Sequence, residues 1–207
     1  CSNGISYQNK VLNDKNYLSK KYDFLFLSNL IKEKGVVDYV MACAKIKQSF
    51  NRNFKAAIVG KPADINLSDL NFLIKKYNLE KNIDVLGPLF NEEKVNIFID
   101  SKVFVFPTYY HFECFPLVLI EAMFFKMPLI STNEGAIEDL LINGYNGLIV
   151  KKNDHNDLFS AMSLLLNDSN KSMLMAQNSY KHYKNNFTEE HFYNNFVRII
   201  EKIINYE

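Results

Sequence analysis

Apolar residues in this chain fall into short uninterrupted runs, separated by longer stretches with a single apolar face. The first run is Tyr22–Ser28, which reads as a buried strand because polar segments bound it. After Lys34-Gly35 a helix is expected to about Gln48, with Val37, Val40, Met41 and Ala44 spaced for one helical face. Phe54–Val59 is the next strand, stopped by Gly60-Lys61-Pro62. A helix near Asp69–Tyr77 and a strand over Asn82–Leu86, ended by Gly87-Pro88, follow. Then come a short helix over Glu92–Ile99 and a strand over Val103–Phe106, ended by Pro107. Phe115-Pro116 reads as a helix start, because proline is best tolerated in a first turn. Pro128–Ser131 reads as a strand, Ala136–Ile142 as a helix and Gly147–Val150 as a strand. From Asp154 the pattern is helical almost to the end. Thr188 there has the chemistry of an N-cap, and Glu189-Glu190 suit the positive end of a helix. Phe192, Phe196, Ile199 and Ile203 line its apolar side.

Alternating strands and helices, with strands apolar on both faces, predict an α/β fold. The expected form is a Rossmann-like parallel sheet covered by helices on both faces. Ligands bind beyond the C-terminal strand ends in such a sheet. The loops at 28–35, 60–66, 87–91, 107–115 and 131–135 all follow strands and share that edge. Residues 1–21 are polar and read as a linker or N-terminal extension.

Composition narrows the classes. At 48% hydrophobic and 23% charged, the 207 residues suit a folded protein, not a disordered one. A net charge of +1 gives no general pull toward nucleic acid or anionic membrane, and no nucleic-acid partner is expected. No apolar run reaches the roughly 18 residues needed to span a bilayer. No signal peptide is visible, and a start at Cys1 without Met is expected of a fragment or processed chain. Cys1, Cys43 and Cys114 lack metal-ligand or redox spacing, which suits a reducing compartment; Cys43 is expected in the core. No metal-ligand cluster, D-x-D, P-loop or G-x-G-x-x-G occurs, so neither metal nor cofactor is expected.

The segment Glu113-Cys-Phe-Pro-Leu-Val-Leu-Ile-Glu121 carries the most chemistry. Glu113 stands in a polar and aromatic loop, whereas Glu121 is flanked by Leu119, Ile120 and Ala122. A carboxylate in that setting is expensive to bury unless something donates hydrogen bonds to it. A helix starting at Phe115-Pro116 also presents unpaired backbone N–H groups, an anion site suited to phosphate. Phosphate cradle, hydroxyl acceptor and second carboxylate together suit a nucleotide sugar.

From about residue 22 to 167 the chain resembles the C-terminal, donor-binding half of a retaining GT-B glycosyltransferase. The family is family 4, the "glycosyl transferases group 1" type. The motifs run in order. Phe26-Leu27-Ser28-Asn29-Leu30 to Glu33-Lys34-Gly35 resembles the strand–loop–helix that holds the donor pyrophosphate. Ala57-Ile58-Val59-Gly60 and Val85-Leu86-Gly87 resemble the next two strand–turn units. Pro107-Thr108 with Glu113 to Glu121-Ala122-Met123 resembles the E-x7-E motif. Pro128 to Thr132 with Gly135 and Glu138, then Gly144-Tyr145-Asn146-Gly147-Leu148, complete the series.

The resemblance implies roles. Glu121 would accept hydrogen bonds from the ribose 2′- and 3′-hydroxyls. Glu113, the catalytic candidate, would bind sugar hydroxyls and orient the anomeric carbon. Lys34 would neutralise the pyrophosphate, with the backbone at Cys114, Phe115 and Pro116 as its cradle. Asn29, Gly60 and Gly87 would line the donor site, Gly87 close to the base. Fixed charge at a departing diphosphate is transition-state stabilisation. Two departures stand out. Asn29 replaces the family's usual Arg, and Cys114 and Pro116 stand where Gly is frequent; Pro116 removes one N–H from the cradle.

The resemblance further implies transfer from a UDP- or GDP-type sugar to a glycan or lipid-linked acceptor in bacterial surface polysaccharide synthesis. The acceptor would sit on a missing N-terminal domain, toward which residues 188–207 would pack, behind a nucleotide-sugar domain at 22–187. This chain alone would be inactive. The full-length protein would be cytoplasmic or peripheral at the inner membrane. An alternative is a nucleotide-sugar-binding module without catalysis, favoured by Asn29. A nucleotide-sugar epimerase of the same fold is disfavoured by the E-x7-E spacing. His111, Tyr109 and Tyr110 either wall the sugar pocket or pack among themselves with Phe112, and Glu138 suits a helix start. His155, His182 and His191 are scattered and carry no assigned chemistry.

Overall fold

A computed structural model describes residues 4–5, 16–49 and 53–204. Cys1, most of the expected 1–21 linker and the last three residues of the C-terminal segment lie outside the described residues. The strands are β1 (Tyr22–Leu27), β2 (Ala56–Val59), β3 (Ile83–Gly87), β4 (Ser101–Phe106), β5 (Leu129–Ser131) and β6 (Gly147–Ile149). The helices are α1 (Val36–Ser49), α2 (Leu67–Lys76), α3 (Asn91–Ile99), α4 (Leu117–Phe124), α5 (Ile137–Leu140), α6 (His155–Asn167), α7 (Ser169–Asn186) and α8 (Glu189–Ile204).

All five strand pairings are parallel, in the order β3-β2-β1-β4-β5-β6. Strands buried on both sides explain the continuous apolar runs. Alternation sorts their side chains between two cores. Phe24, Phe26, Ala56, Ile58, Val103, Val105 and Ile130 meet α1, α2 and α6. Leu25, Ala57, Val59, Phe104, Phe106 and Leu129 meet α3, α4, α5 and α7. Cys43 is fully buried in the first core, which pushes its thiol pKa well up. The expected α/β sheet with helices on both faces is therefore the observed architecture. The chain leaves β1 toward one face and β4 toward the other, and these strands are neighbours, so a crevice opens between their C-terminal ends.

Boundaries differ from expectation where side chains cap. The α2 helix starts at Leu67, before the expected Asp69, because the Asn66 side chain accepts from the Asp69 N–H at 2.9 Å. The helical stretch after Asp154 is broken into three. Asp154 caps α6, accepting from Asn156 and Asp157, and Asp168 both closes α6 and caps α7 through Lys171. Thr188 caps the next helix as expected, its hydroxyl accepting from His191 N–H at 3.2 Å. The expected helix over 136–142 is a single turn, Ile137–Leu140. Near the N-terminus, Ile5 bridges Thr188, and the Tyr183 hydroxyl donates to the Ile5 carbonyl at 3.0 Å. Tyr17–Ser19 forms one 3-10 turn where a loop is expected, and Tyr17 bonds the buried Ser172 hydroxyl at 2.5 Å. Burial of that phenol pushes its pKa up to about 12.

Candidate functional site

The loops after β1 and β4 are fastened together. The Tyr109 N–H donates to the Glu33 carbonyl at 2.8 Å, and the Thr108 hydroxyl reaches the same oxygen at 3.4 Å. Lys34 closes a 3-10 turn, Lys32–Lys34, one residue before Gly35 takes a left-handed conformation at φ 86°. That turn aims Lys34 across the crevice. Its ammonium lies 2.5 Å from Glu113 Oε2, 4.4 Å from the Tyr110 ring centre and 5.6 Å from that of Phe106. The pair is nearly closed off, with side chains 14% and 9% exposed.

Glu113 is held by its own loop. Its N–H donates to the Tyr110 carbonyl at 2.8 Å, and the Cys114 carbonyl accepts from Ala136 N–H at 2.9 Å. The loop after β5 is tied in from below, where the Thr132 hydroxyl bonds the Thr108 carbonyl. Pro116 caps α4 with no side-chain hydrogen bond, and its carbonyl accepts from Leu119 N–H at 3.1 Å. The open first turn of α4 starts just after Cys114 and Phe115, at the mouth of the crevice. Pro116 itself supplies no N–H.

Glu121 lies on α4 between the buried Ile120 and Ala122. The donor that its apolar setting requires is Lys94, from the first turns of α3. The Lys94 ammonium stands 2.7 Å from Glu121 Oε1 and 2.8 Å from Oε2. Sequence reasoning missed Lys94. Its only trace was a lysine just before the apolar Val95, Ile97 and Phe98 of α3, at the margin of that helix's buried face.

The remaining predicted residues share the same edge. Asn29 is exposed in the loop after β1. Gly60 is buried, and a Cβ there would lie 1.8 Å from the Ser28 carbonyl oxygen, so the backbones of two loops demand a glycine. The Gly60 N–H donates to the Gly87 carbonyl at 3.0 Å. Gly87 has φ 67° and open space where a side chain would stand. His111 packs edge-on against Phe112, as does Tyr110. Glu138 is exposed in the first turn of α5.

The structure thus brings Lys34 and Glu113 together, with Cys114, Phe115 and Pro116 next along the chain, while Glu121 meets Lys94 on α3; Asn29, Gly60 and Gly87 lie on loops that follow the strands. Each carboxylate faces a lysine of its own. Such an arrangement can accept hydrogen bonds from hydroxyls, place positive charge beside an anion and offer helix N–H groups to a phosphate. Among the described residues no group of three or more His, Cys, Asp or Glu is arranged to hold a metal ion, and no helix is long and apolar enough to cross a membrane.

The family described as "Glycosyl transferases group 1" matches residues 9–182. The capsular polysaccharide biosynthesis glycosyltransferase CapM of Staphylococcus aureus is 30% identical over 95% of this chain and 54% of its own length. Sucrose-phosphate synthase of Thermosynechococcus elongatus has the same fold, with a TM-score of 0.77 at 21% identity over 100% of this chain and 50% of its own. Anabaena HepE, solved in complex with UDP and glucose, matches with a TM-score of 0.77 at 17% identity, over 88% of this chain and 49% of its own. The chain spans about half the length of the relatives it matches.

Proposed function

Because the chain belongs to the glycosyl transferases group 1 family, whose model matches residues 9–182, we propose that its crevice binds a nucleoside-diphosphate sugar. The observation that carries this is the pairing of Glu113 with Lys34 and of Glu121 with Lys94 at the C-terminal edge of the sheet. Glu121 accepts hydrogen bonds from the ribose hydroxyls. The first turn of α4 and the Lys34 ammonium take the diphosphate, and Glu113 binds hydroxyls of the sugar. Lys34 is then shared between Glu113 and the phosphate, so sugar and leaving group are gripped by one linked set of charges.

The donor is of the UDP or GDP type, and the sugar is transferred with its anomeric configuration retained. Diphosphate leaves while the acceptor attacks from the same face. Positive charge fixed beside the departing diphosphate lowers the barrier. No metal is required. The acceptor, a glycan or lipid-linked sugar of a surface polysaccharide, binds on the remainder of a longer protein, and the apolar face of α8 packs toward that part. The 207-residue chain alone binds donor without transferring it. The full-length protein works in the cytoplasm or against the inner membrane. A binding module without catalysis is the second possibility, favoured by the neutral, exposed Asn29 where the family usually carries a cation.

Calorimetric titration with UDP-, GDP- and ADP-sugars tests the proposal. Binding of at least one UDP or GDP compound is expected, and Glu121→Ala should weaken it by about 1–3 kcal/mol, as for other charged hydrogen-bonding groups. Absence of binding across the panel, or an unchanged affinity in Glu121→Ala, rules out the assigned site. Product stereochemistry from the full-length protein separates retaining transfer from a silent module.

A further inference from the structure

We propose that Tyr110 is a positioning residue for Lys34: its ring face holds the lysine ammonium in place for the diphosphate without neutralising it. The inference rests on the assignment of Lys34 to the diphosphate.

The Lys34 ammonium has one carboxylate and two rings around it. Glu113 Oε2 lies 2.5 Å away, the Tyr110 ring centre 4.4 Å and the Phe106 ring centre 5.6 Å. Phe106 is a core residue of β4, whereas Tyr110 stands on the loop and is the nearer ring. A lysine stem is flexible, so an ammonium held by one carboxylate oxygen can still swing about that contact. A ring face adds a second point of contact. Its quadrupole attracts a cation but carries no net charge. A second carboxylate there would restrain Lys34 too, but would repel a diphosphate. The attraction is stronger for a cation withdrawn from water, and the Lys34 side chain is 14% exposed.

The backbone builds this contact. The Tyr109 N–H donates to the Glu33 carbonyl at 2.8 Å, which joins the residue before Tyr110 to the residue before Lys34. On the other side of Lys34, Gly35 approaches the same loop so closely that a Cβ would lie 2.4 Å from the Pro107 carbonyl oxygen. Tyr110 is also fixed within its own loop. Its N–H donates to the Thr108 hydroxyl oxygen at 3.2 Å, and its ring meets Phe112 edge-on with centres 5.7 Å apart. The Tyr110 carbonyl accepts from Glu113 N–H at 2.8 Å. Tyr110 therefore touches both members of the Lys34–Glu113 pair, the lysine through its ring and the glutamate through its backbone. Changing the ring alone separates the two contacts.

The test is titration of the 207-residue chain with UDP, or with GDP if guanine is preferred. The proteins compared are wild type, Tyr110→Phe, Tyr110→Leu, Lys34→Met and the double variant Lys34→Met with Tyr110→Leu. Tyr110→Phe keeps the ring and should bind within about 2-fold of wild type. Tyr110→Leu should bind about 3- to 10-fold more weakly, the range of one cation–π contact. In the Lys34→Met background the same change should alter affinity by less than about 2-fold, because the ring has no cation left to hold. Phenylalanine carrying one, two or three ring fluorines at position 110 keeps the shape but drains negative charge from the ring face. Affinity should fall step by step along that series, a trend that a purely structural ring would not give. The series also serves if Tyr110→Leu fails to fold. A flat fluorine series, wild-type affinity in Tyr110→Leu, or an equal loss from the folded Lys34→Met background overturns this inference alone. A wild-type chain that binds neither UDP nor GDP, or a Lys34→Met variant that binds as wild type does, overturns the diphosphate role of Lys34 and this inference with it.

Discussion

The Lys34 ammonium and the Glu113 carboxylate meet at 2.5 Å from loops that follow neighbouring strands, 79 positions apart in the chain. Each charge is largely withdrawn from water and depends on the other. Removing one partner of a buried pair leaves an uncompensated charge, which costs about 3–5 kcal/mol when burial is complete. Residual exposure lowers this. Lys34→Met and Glu113→Gln should each lose about 1–3 kcal/mol in urea unfolding, and the double variant should lose less than the sum. Strictly additive losses would mean that the two side chains do not depend on each other in solution.

Gly135 faces the Glu113 backbone from the loop after β5. Its φ is 55°, and a Cβ there would lie 1.9 Å from the Glu113 carbonyl oxygen and 3.0 Å from that of Cys114. Neither backbone oxygen can swing aside as a flexible side chain would. Gly135→Ala combines a left-handed backbone, costing about 1–2 kcal/mol in an L-residue, with displacement of the Glu113 loop. Thermal melting should show a loss at least that large, and sugar-nucleotide binding should weaken in the surviving folded protein. Wild-type stability together with wild-type binding would show that the loop moves freely.

Particular residues show what was legible in the sequence. Phe24 and Leu25 are both apolar because their strand is covered on both faces, so the parallel sheet could be seen in the runs alone. Glu121 announced a need, since a carboxylate beside Ile120 and Ala122 must find a donor. What it could not announce was Lys94, because the two stand 27 positions apart and meet only through the tertiary fold. Gly135 was visible as a motif glycine, yet its contact with Glu113 depends on how two loops cross. Asp168 escaped notice as a break because the flanking segments are both helical, and one capping side chain separates them. Local periodicity and motif order were readable, whereas pairing between distant elements was not.

Asp38 offers a stability test that depends on pH. It is buried in the first turns of α1, and burial raises its carboxyl pKa despite the opposing pull of His155 and Lys32. The folded protein therefore holds this proton more tightly than the unfolded chain does. Stability from that preference is fully present below the ordinary carboxylate value, about 4, and is lost as pH rises through the raised folded value. Asp38→Asn removes the loss. At pH 7 the variant should melt above wild type, and the gap should close as the pH falls to about 4. A variant that melts below wild type at pH 7 would show that the charged form makes a contact that outweighs its burial.

The apolar face of α8 carries little of the chain's own stability. None of its residues is buried; Ile199 and Ile203, one turn apart, are 42% and 63% exposed. Side chains that remain in water after folding contribute little hydrophobic stabilisation. Ile199→Glu combined with Ile203→Lys also places opposite charges at helical i, i+4 spacing, worth about 0.2–0.5 kcal/mol. The double variant should therefore unfold within about 0.5 kcal/mol of wild type in urea and bind nucleotide unchanged. In the full-length protein the same pair should lower stability or transfer, because there the face is proposed to be covered. A loss above about 1 kcal/mol in the 207-residue chain would mean that α8 packs on this half, and the assignment of its apolar face to another part of the protein would fall.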